Sequence, residues 1–251
     1  MKAVRPPKCL TIAGFDPSGG AGIIADLKAF RAFDVDSAAV VTSITFQNDR
    51  EFLGAEHRSA GSVARQIDSV LAVDEIDAVK TGMLPTSQII GAVASRLGGR
   101  NIPLVIDPVI SSTTGGTLMS SEATNRLTKD LFPLADLITP NIPEAETLSS
   151  LKIANESDAA AAARYIIGLG ANAVLIKGGH AAEQMKKGRD LLFTEGGMEV
   201  FDCHELMVEM RGTGCMLASA IAANLALGAA ISEAVSAAKA FITAQLRRKT
   251  L

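Results

Sequence analysis

Arg211-Gly-Thr-Gly-Cys215 runs without a break into an apolar stretch from Met216 to Ala230. Glycines on both sides of Thr213 let the backbone turn tightly enough to present successive N–H groups, and the residues that follow predict an α-helix starting there. Unsatisfied donors and the positive helix end, roughly half a unit charge, then point at one place, a socket sized for a phosphoryl group. A thiol at its rim would have its thiolate favoured, since a helix N-terminus lowers a cysteine pKa from about 8.5. The same residues also read as a glycine turn into a buried helix, with Cys215 a small core residue.

Further polar motifs fall near the ends of short apolar runs. Gly14-Phe-Asp16-Pro-Ser-Gly-Gly-Ala21-Gly22 precedes a helix carrying Asp26. It lacks the Lys-Ser/Thr pair of a phosphate loop and the spacing of a dinucleotide fingerprint, but its glycines let backbone approach a flat ligand. Asp26 falls in the first turn or so of that helix, where a carboxylate complements the dipole by about 0.3–1 kcal/mol; its functional reading is an acceptor for a ligand's amino or hydroxyl hydrogens. Thr45-Phe-Gln47-Asn48 follows the second strand and Lys80-Thr-Gly-Met83-Leu84 the third. Gln47 offers the donor and acceptor that recognise a heteroaromatic edge, or is a plain loop amide. Met83 lies against a ring face or in the core.

Ile106-Asp107-Pro-Val109 and Thr139-Pro-Asn141-Ile-Pro-Glu144-Ala-Glu146 repeat a strand, polar residue, proline theme. An Asp and a Glu brought together there could hold Mg²⁺, which takes hard oxygen ligands and keeps several waters; Glu144 alone is also a favourable first-turn acid after a proline helix start. Lys177 ends an apolar run before Gly178-Gly179-His180, as a solvated tip or as a cation for nucleotide phosphates. The default role of Lys239, in the last helix, is a solvent-facing charge.

The elements that must carry these motifs alternate. Leu10–Ala13, Ala38–Thr42, Ala78–Lys80, Leu104–Ile106, Leu137–Thr139 and Val174–Lys177 predict buried strands. Ile23–Phe33, Ser62–Val73, Ser87–Leu97, Ser121–Lys129, Ile142–Leu148 and Ser157–Leu169 predict helices between them. Leu191–Thr194 and Glu199–Cys203 predict an antiparallel edge hairpin, and two helices finish the chain. This is an α/β chain with a mostly parallel sheet, whose strand carboxyl ends are where ligands bind. No linker divides the 251 residues, which predict one domain. Hydrophobic residues are 48% and aromatics 4%, so the core must be aliphatic.

A net charge of −3 without a Lys/Arg cluster before Arg247-Arg248-Lys249 argues against a nucleic-acid surface. No segment has the roughly 18 apolar residues of a membrane span, and the amino-terminal residues lack a signal-peptide core, so a cytoplasmic protein is expected. Cys9, Cys203 and Cys215 and the scattered His57, His180 and His204 indicate neither a disulfide framework nor a zinc site.

Taken in order, Thr11-Ile-Ala-Gly-Phe-Asp-Pro-Ser-Gly-Gly-Ala-Gly, Gln47-Asn48, Lys80-Thr-Gly-Met-Leu, Asp107-Pro-Val, Thr139-Pro-Asn-Ile-Pro-Glu-Ala, Lys177-Gly-Gly-His and Gly212-Thr-Gly-Cys215 resemble the ribokinase-like superfamily. Within it they resemble the hydroxymethylpyrimidine/phosphomethylpyrimidine kinases of thiamine biosynthesis. The resemblance implies a three-layer α/β/α fold and ATP- and Mg²⁺-dependent phosphorylation of 4-amino-5-hydroxymethyl-2-methylpyrimidine, then of its monophosphate. It implies a pyrimidine surrounded by Gly14, Ala21, Asp26, Gln47, Met83 and Val109. ATP phosphates would lie near Asn141, Lys177, Thr213, Gly214 and Lys239, and Mg²⁺ near Asp107 and Glu144. Gly212 to Cys215 would form the anion hole, with Cys215 replacing the Asp that serves most of the superfamily as base. A homodimer is also implied. Pyridoxal or pyridoxine kinase is the enzyme alternative, and a non-catalytic pyrimidine-binding protein the alternative of another class. Arg211 stands where the family more often has His, as a ligand for a substrate phosphate or as a surface residue; the segment Ser111 to Thr117 lacks the family's usual charged residues.

Overall fold

An interior strand of a parallel region covered on both faces reads as a largely apolar run. In the computed structural model, which describes residues 5–48, 50–111, 118–178, 188–202 and 211–248, one such strand is β1 (Lys8–Phe15), buried along nearly its whole length. Helix α1 (Gly22–Ala32) returns the chain to β2 (Asp36–Gln47), parallel to β1, and β3 (Phe52–His57) folds back antiparallel on the end of β2. Helix α2 (Ala60–Leu71) carries the chain to β4 (Ala78–Thr81), on the other side of β1. The chain then steps outward through α3 (Ser87–Leu97), β5 (Leu104–Ile106), α4 (Ser121–Arg126), β6 (Leu137–Ile138), α5 (Ile142–Ser149), α6 (Glu156–Gly168) and β7 (Val174–Ile176). An antiparallel hairpin of β8 (Arg189–Thr194) and β9 (Gly197–Asp202) completes the sheet before α7 (Thr213–Ala226) and α8 (Ile231–Arg248).

Strand order is β3-β2-β1-β4-β5-β6-β7-β8-β9. The chain moves one way from β1 to β2 and the other way from β4 onward, so a crevice opens at the carboxyl ends of β1 and β4, the topological switch point. Two helical layers cover the sheet. Phe30 of α1, Leu217 and Ile221 of α7 and Val235 of α8 pack on one face. Val63 and Ile67 of α2, Ile90 of α3, Leu148 of α5 and Ile166 of α6 pack on the other. The layers are the three-layer α/β/α arrangement the resemblance implies. Helix α7 is buried continuously from Leu217 to Ala223, and its alanines let the sheet and neighbouring helices approach from several sides.

Four local differences from the sequence reading stand out. Strand β2 runs on to Gln47, so Thr45 and Gln47 lie on the strand and not after it. Strand β3 was not predicted: it is a half-exposed edge in which Gly54, at φ 138°, and charged residues break any apolar run. The helix predicted to Lys129 is α-helical only to Arg126, then widens into a π turn at Leu127–Leu131 and tightens to 3₁₀ at Phe132–Leu134, where Pro133 has no N–H to continue it. Strand β9 begins at Gly197, directly after the tight turn at Glu195-Gly196. His180, Cys203, His204 and most of the Ser111 to Ser120 loop lie outside the described residues. Among the described residues, no helix is long and apolar enough to cross a membrane.

Candidate active site

The Gly-Thr-Gly-Cys turn stands at the head of α7, as its residue types predict. Gly212 is the N-cap, at φ 77°, and a Cβ there would lie 1.9 Å from the Gly20 carbonyl oxygen. Both the left-handed backbone and the close approach demand glycine. Among the described residues no side chain caps the helix, which leaves its first-turn amides for a ligand. The socket is thereby pressed against the β1–α1 loop.

Lys177, just past β7, reaches into this socket: its Nζ would lie 3.3 Å from a Cβ on Gly214. It donates to Asp107 Oδ1 at 2.8 Å. Its backbone N–H bonds to the Pro140 carbonyl at 2.8 Å, and Lys177 forms a parallel bridge with Asn141. Asn141 and Glu144 form a capping box on α5: the Asn141 side chain accepts from the Glu144 amide, and Glu144 Oε2 accepts from the Asn141 amide, both at 2.8 Å. The structural role weighed for Glu144 is therefore real, and the same carboxyl also faces Lys177 and Asp107.

The charges shape one another. Burial alone would raise the Asp107 carboxyl, but the Lys177 and Lys80 ammoniums outweigh it and hold it below the ordinary range. Burial would lower Lys177, yet Asp107 and Glu144 keep it above its usual value. For Glu144 burial wins, with Asp107 adding to it against Lys177, and the carboxyl rises to about 7. Adjoining carboxylates, one short of positive charge, suit a hard divalent cation. Among the described residues no group of three His, Cys, Asp or Glu side chains could cage a metal, but Mg²⁺ usually takes one or two carboxylates with water and phosphate oxygens.

Cys215 contradicts the expected thiolate. Its residue keeps some surface, yet burial is the largest influence and drives the thiol up; Lys80 and the Gly22 amide oppose this, Asp107 and Asp26 reinforce it, and the outcome is about 12. The thiol is neutral before ligands bind, because desolvation outweighs the helix end.

Asp26 also departs from expectation. It lies beyond the first turn of α1 and is fully buried. Its carboxylate accepts from Thr11 Oγ1 at 2.6 Å, Ser219 Oγ at 2.7 Å and Lys80 Nζ at 2.9 and 3.0 Å. With its oxygens taken up by β1, β4 and α7, it has no surface to offer a ligand. Lys80, Thr11 and Ser219 escaped the sequence reading; a lone lysine closing an apolar strand was the available signal.

The pyrimidine-side candidates gather at the crevice in part. Met83 is buried, with its Sδ 3.2 Å from a Cβ position on Gly14, and Thr42 Oγ1 donates to its carbonyl at 2.7 Å. Ala21 is the N-cap of α1, and Val109 turns back to the Asp107 carbonyl at 2.9 Å. Gln47 ends β2 and pairs with Phe52 of β3. Lys239 is not solvent-facing: Nζ donates to Asp190 Oδ2 at 2.7 Å and to the Gly188 carbonyl at 3.0 Å. Asp190, also missed, holds the Gly178 amide at 2.9 Å and so links α8 to the Lys177 turn.

A sheet of this order with an anion socket and a lysine at its strand ends defines a small-molecule phosphotransferase. The model of the phosphomethylpyrimidine kinase family matches residues 16–251, and the chain belongs to that family. It is 42% identical over 241 residues to a hydroxymethylpyrimidine/phosphomethylpyrimidine kinase of Rhizobium meliloti, covering 94% of this chain and 89% of the relative. A crystal structure of phosphomethylpyrimidine kinase from Clostridium difficile superposes with TM-score 0.84 at 39% identity, over 96% of this chain and 99% of the other. An ADP complex of Bacillus subtilis pyridoxal kinase superposes with TM-score 0.86 at 35% identity, over 95% and 91%.

Proposed function

We propose that this chain transfers the γ-phosphoryl group of ATP to the hydroxymethyl oxygen of 4-amino-5-hydroxymethyl-2-methylpyrimidine, and then to the resulting monophosphate to give the diphosphate for thiamine biosynthesis. The observation that carries this reading is the convergence of Lys177 on both Gly214 and Asp107, which puts a fixed cation where the α7 amides open. Phosphoryl transfer needs mainly positioning and charge stabilisation, and both are built here.

The Gly212 to Cys215 amides receive the moving phosphoryl oxygens, and Lys177 binds the nucleotide's phosphates. Asp107 and Glu144 would hold Mg²⁺, which neutralises phosphate charge when bound. Asn141 fixes the Glu144 carboxyl through the capping box. Lys239 steadies the nucleotide side through Asp190, next to a cavity of about 610 Å³ between β9 and α8 lined by Val200, Phe201, Lys239 and Thr243, which would take the base. Gly14, Ala21, Met83 and Val109 enclose the pyrimidine and Gln47 reads its edge, while Asp26 supports the floor from beneath. Cys215 is the proton acceptor, acting through the small thiolate fraction that its high pKa allows.

ADP release from Mg-ATP that depends on the pyrimidine tests this reading; no release would leave a binding protein. The similarity to a pyridoxal kinase makes pyridoxal, also a flat heterocycle with a hydroxymethyl group, the second substrate to assay.

A further inference from the structure

Arg211 joins the two halves of the candidate site. Its backbone leads into the Gly212 turn, while its guanidinium reaches back across the crevice. Nη2 donates to Asp16 Oδ2 at 3.0 Å, and Nη1 donates to Ser18 Oγ at 3.2 Å and to the Asn48 carbonyl at 2.5 Å. Asp16 is 1% exposed and organises the β1–α1 loop from inside. Its Oδ1 accepts from the Ser18 amide at 3.0 Å and the Ser18 hydroxyl at 2.8 Å, and its Oδ2 accepts from the Ala21 amide at 2.9 Å. Beside this bridge, the Gly212 backbone is wedged against the Gly20 carbonyl.

One side chain therefore spans the loop that follows β1, the end of β2 and the start of α7. We propose that Arg211 is a positioning residue that couples the acceptor pocket to the phosphoryl socket, holding the two at one separation so that the acceptor hydroxyl meets the phosphoryl group and water does not. The proposal rests on the kinase reading above. The geometry favours this role over direct binding of a substrate phosphate: leaving Asp16 would abandon a buried carboxylate, and that loss is large. Lysine could keep the charge beside Asp16 but could not reach Asp16, Ser18 and Asn48 from one planar fork.

The test uses the full chain with Arg211→Lys and Arg211→Met. Three quantities are measured: ADP released per pyrimidine phosphate formed, kcat and KM for the pyrimidine and for its monophosphate, and hydrogen–deuterium exchange over residues 16–22 and 211–215. In the wild type the ratio is expected near one. In Arg211→Lys, matched to wild type in melting temperature, ADP release is expected to exceed product as water reaches the phosphoryl group. Loss of register costs roughly 10²-fold in rate, so kcat should fall by up to that factor for both acceptors alike, with no KM defect confined to the monophosphate. Exchange should rise in both segments together. Retained coupling and kcat in both variants would overturn the proposal, as would a KM defect confined to the monophosphate, which would mean direct phosphate contact. If Arg211→Met does not fold, Arg211→Lys decides. If the wild type turns over no pyrimidine, the kinase reading fails, and the exchange data alone judge the bridge: paired exposure upholds it and unchanged exchange removes it.

Discussion

The Lys177 ammonium donates to Asp107 Oδ1 at 2.8 Å while lying 3.3 Å from the point where a side chain on Gly214 would begin. One cation thus serves a carboxylate and the anion socket together. Lys177→Met removes it from both and leaves Asp107 buried without its partner. The expected loss is about 2–4 kcal/mol in transition-state stabilisation, or roughly 30- to 1,000-fold in kcat/KM for ATP. Steady-state kinetics at saturating pyrimidine measures it.

Asp26 and Lys80 form a fully buried ion pair, with Thr11 and Ser219 completing the carboxylate's bonds. Removing one partner strands a charge in the core, so Lys80→Met is expected to cost about 3–5 kcal/mol in urea unfolding. Asp26→Asn together with Lys80→Met removes both charges and should cost less than Lys80→Met alone. A double variant as unstable as the sum of the single ones would show that the pair is not coupled.

Gly212→Ala forces a side chain to φ 77° and into the Gly20 carbonyl. The left-handed strain alone is about 1–2 kcal/mol, and the clash adds to it. The variant is expected to lose more than ~2 kcal/mol of stability by urea titration and nearly all turnover, because the socket and the β1–α1 loop must separate. Wild-type behaviour would show that the turn is not where the chemistry occurs.

Glu144 gives a pH signature of its own. Its folded-state carboxyl titrates at about 7 because it is buried beside Asp107, while the unfolded chain has the ordinary value near 4.5. The folded state therefore holds a proton that the unfolded state has released, and stability falls as pH rises from about 4.5 to about 7, by on the order of 3 kcal/mol. Glu144→Gln keeps an oxygen for the Asn141 amide and should flatten this fall in thermal melts. Millimolar Mg²⁺ should stabilise the wild type more at pH 7.5 than at pH 5, and the variant equally at both.

Cys215 tests the chemistry. With the thiol at about 12, the thiolate fraction rises tenfold per pH unit across neutrality. If that thiolate takes the substrate proton, kcat/KM climbs from about pH 6 to 9 without a plateau, since this parameter reports the free enzyme. Cys215→Ser should lower it by about 10²- to 10⁴-fold, the usual share of a general base, and alter the slope. A flat profile with near-full activity in the serine variant would leave the socket and remove the base.

Sequence periodicity placed the central strands and most helices because their signals are local. Strand β1 is apolar but for Lys8 at its start and Thr11 within it, and α7 follows a glycine turn at the head of a long apolar stretch. Strand β3 was invisible because an exposed edge needs no apolar run, and its pairing comes from β2. The family resemblance, not periodicity, is what implied a shared site for Lys177, Asp107, Glu144 and Gly214, and Lys177 lies beside the other three. What failed depended on depth: helix position suggested a helix-start charge or ligand acceptor at Asp26 and a thiolate at Cys215, whereas packing from other elements buries Asp26 fully and desolvates the Cys215 thiol. Arg211 was ambiguous for the same reason, since its partners Asp16 and Asn48 are distant in the chain and near only in the fold.

The pyrimidine and pyridoxal readings differ in the phosphoryl acceptor. The most direct measurement incubates the protein with Mg-ATP and equal hydroxymethylpyrimidine and pyridoxal, and follows each product by mass. The expected result is pyrimidine carried through the monophosphate to the diphosphate, with pyridoxal phosphorylated more slowly. Pyridoxal phosphate formed while the pyrimidine stays unmodified would contradict it.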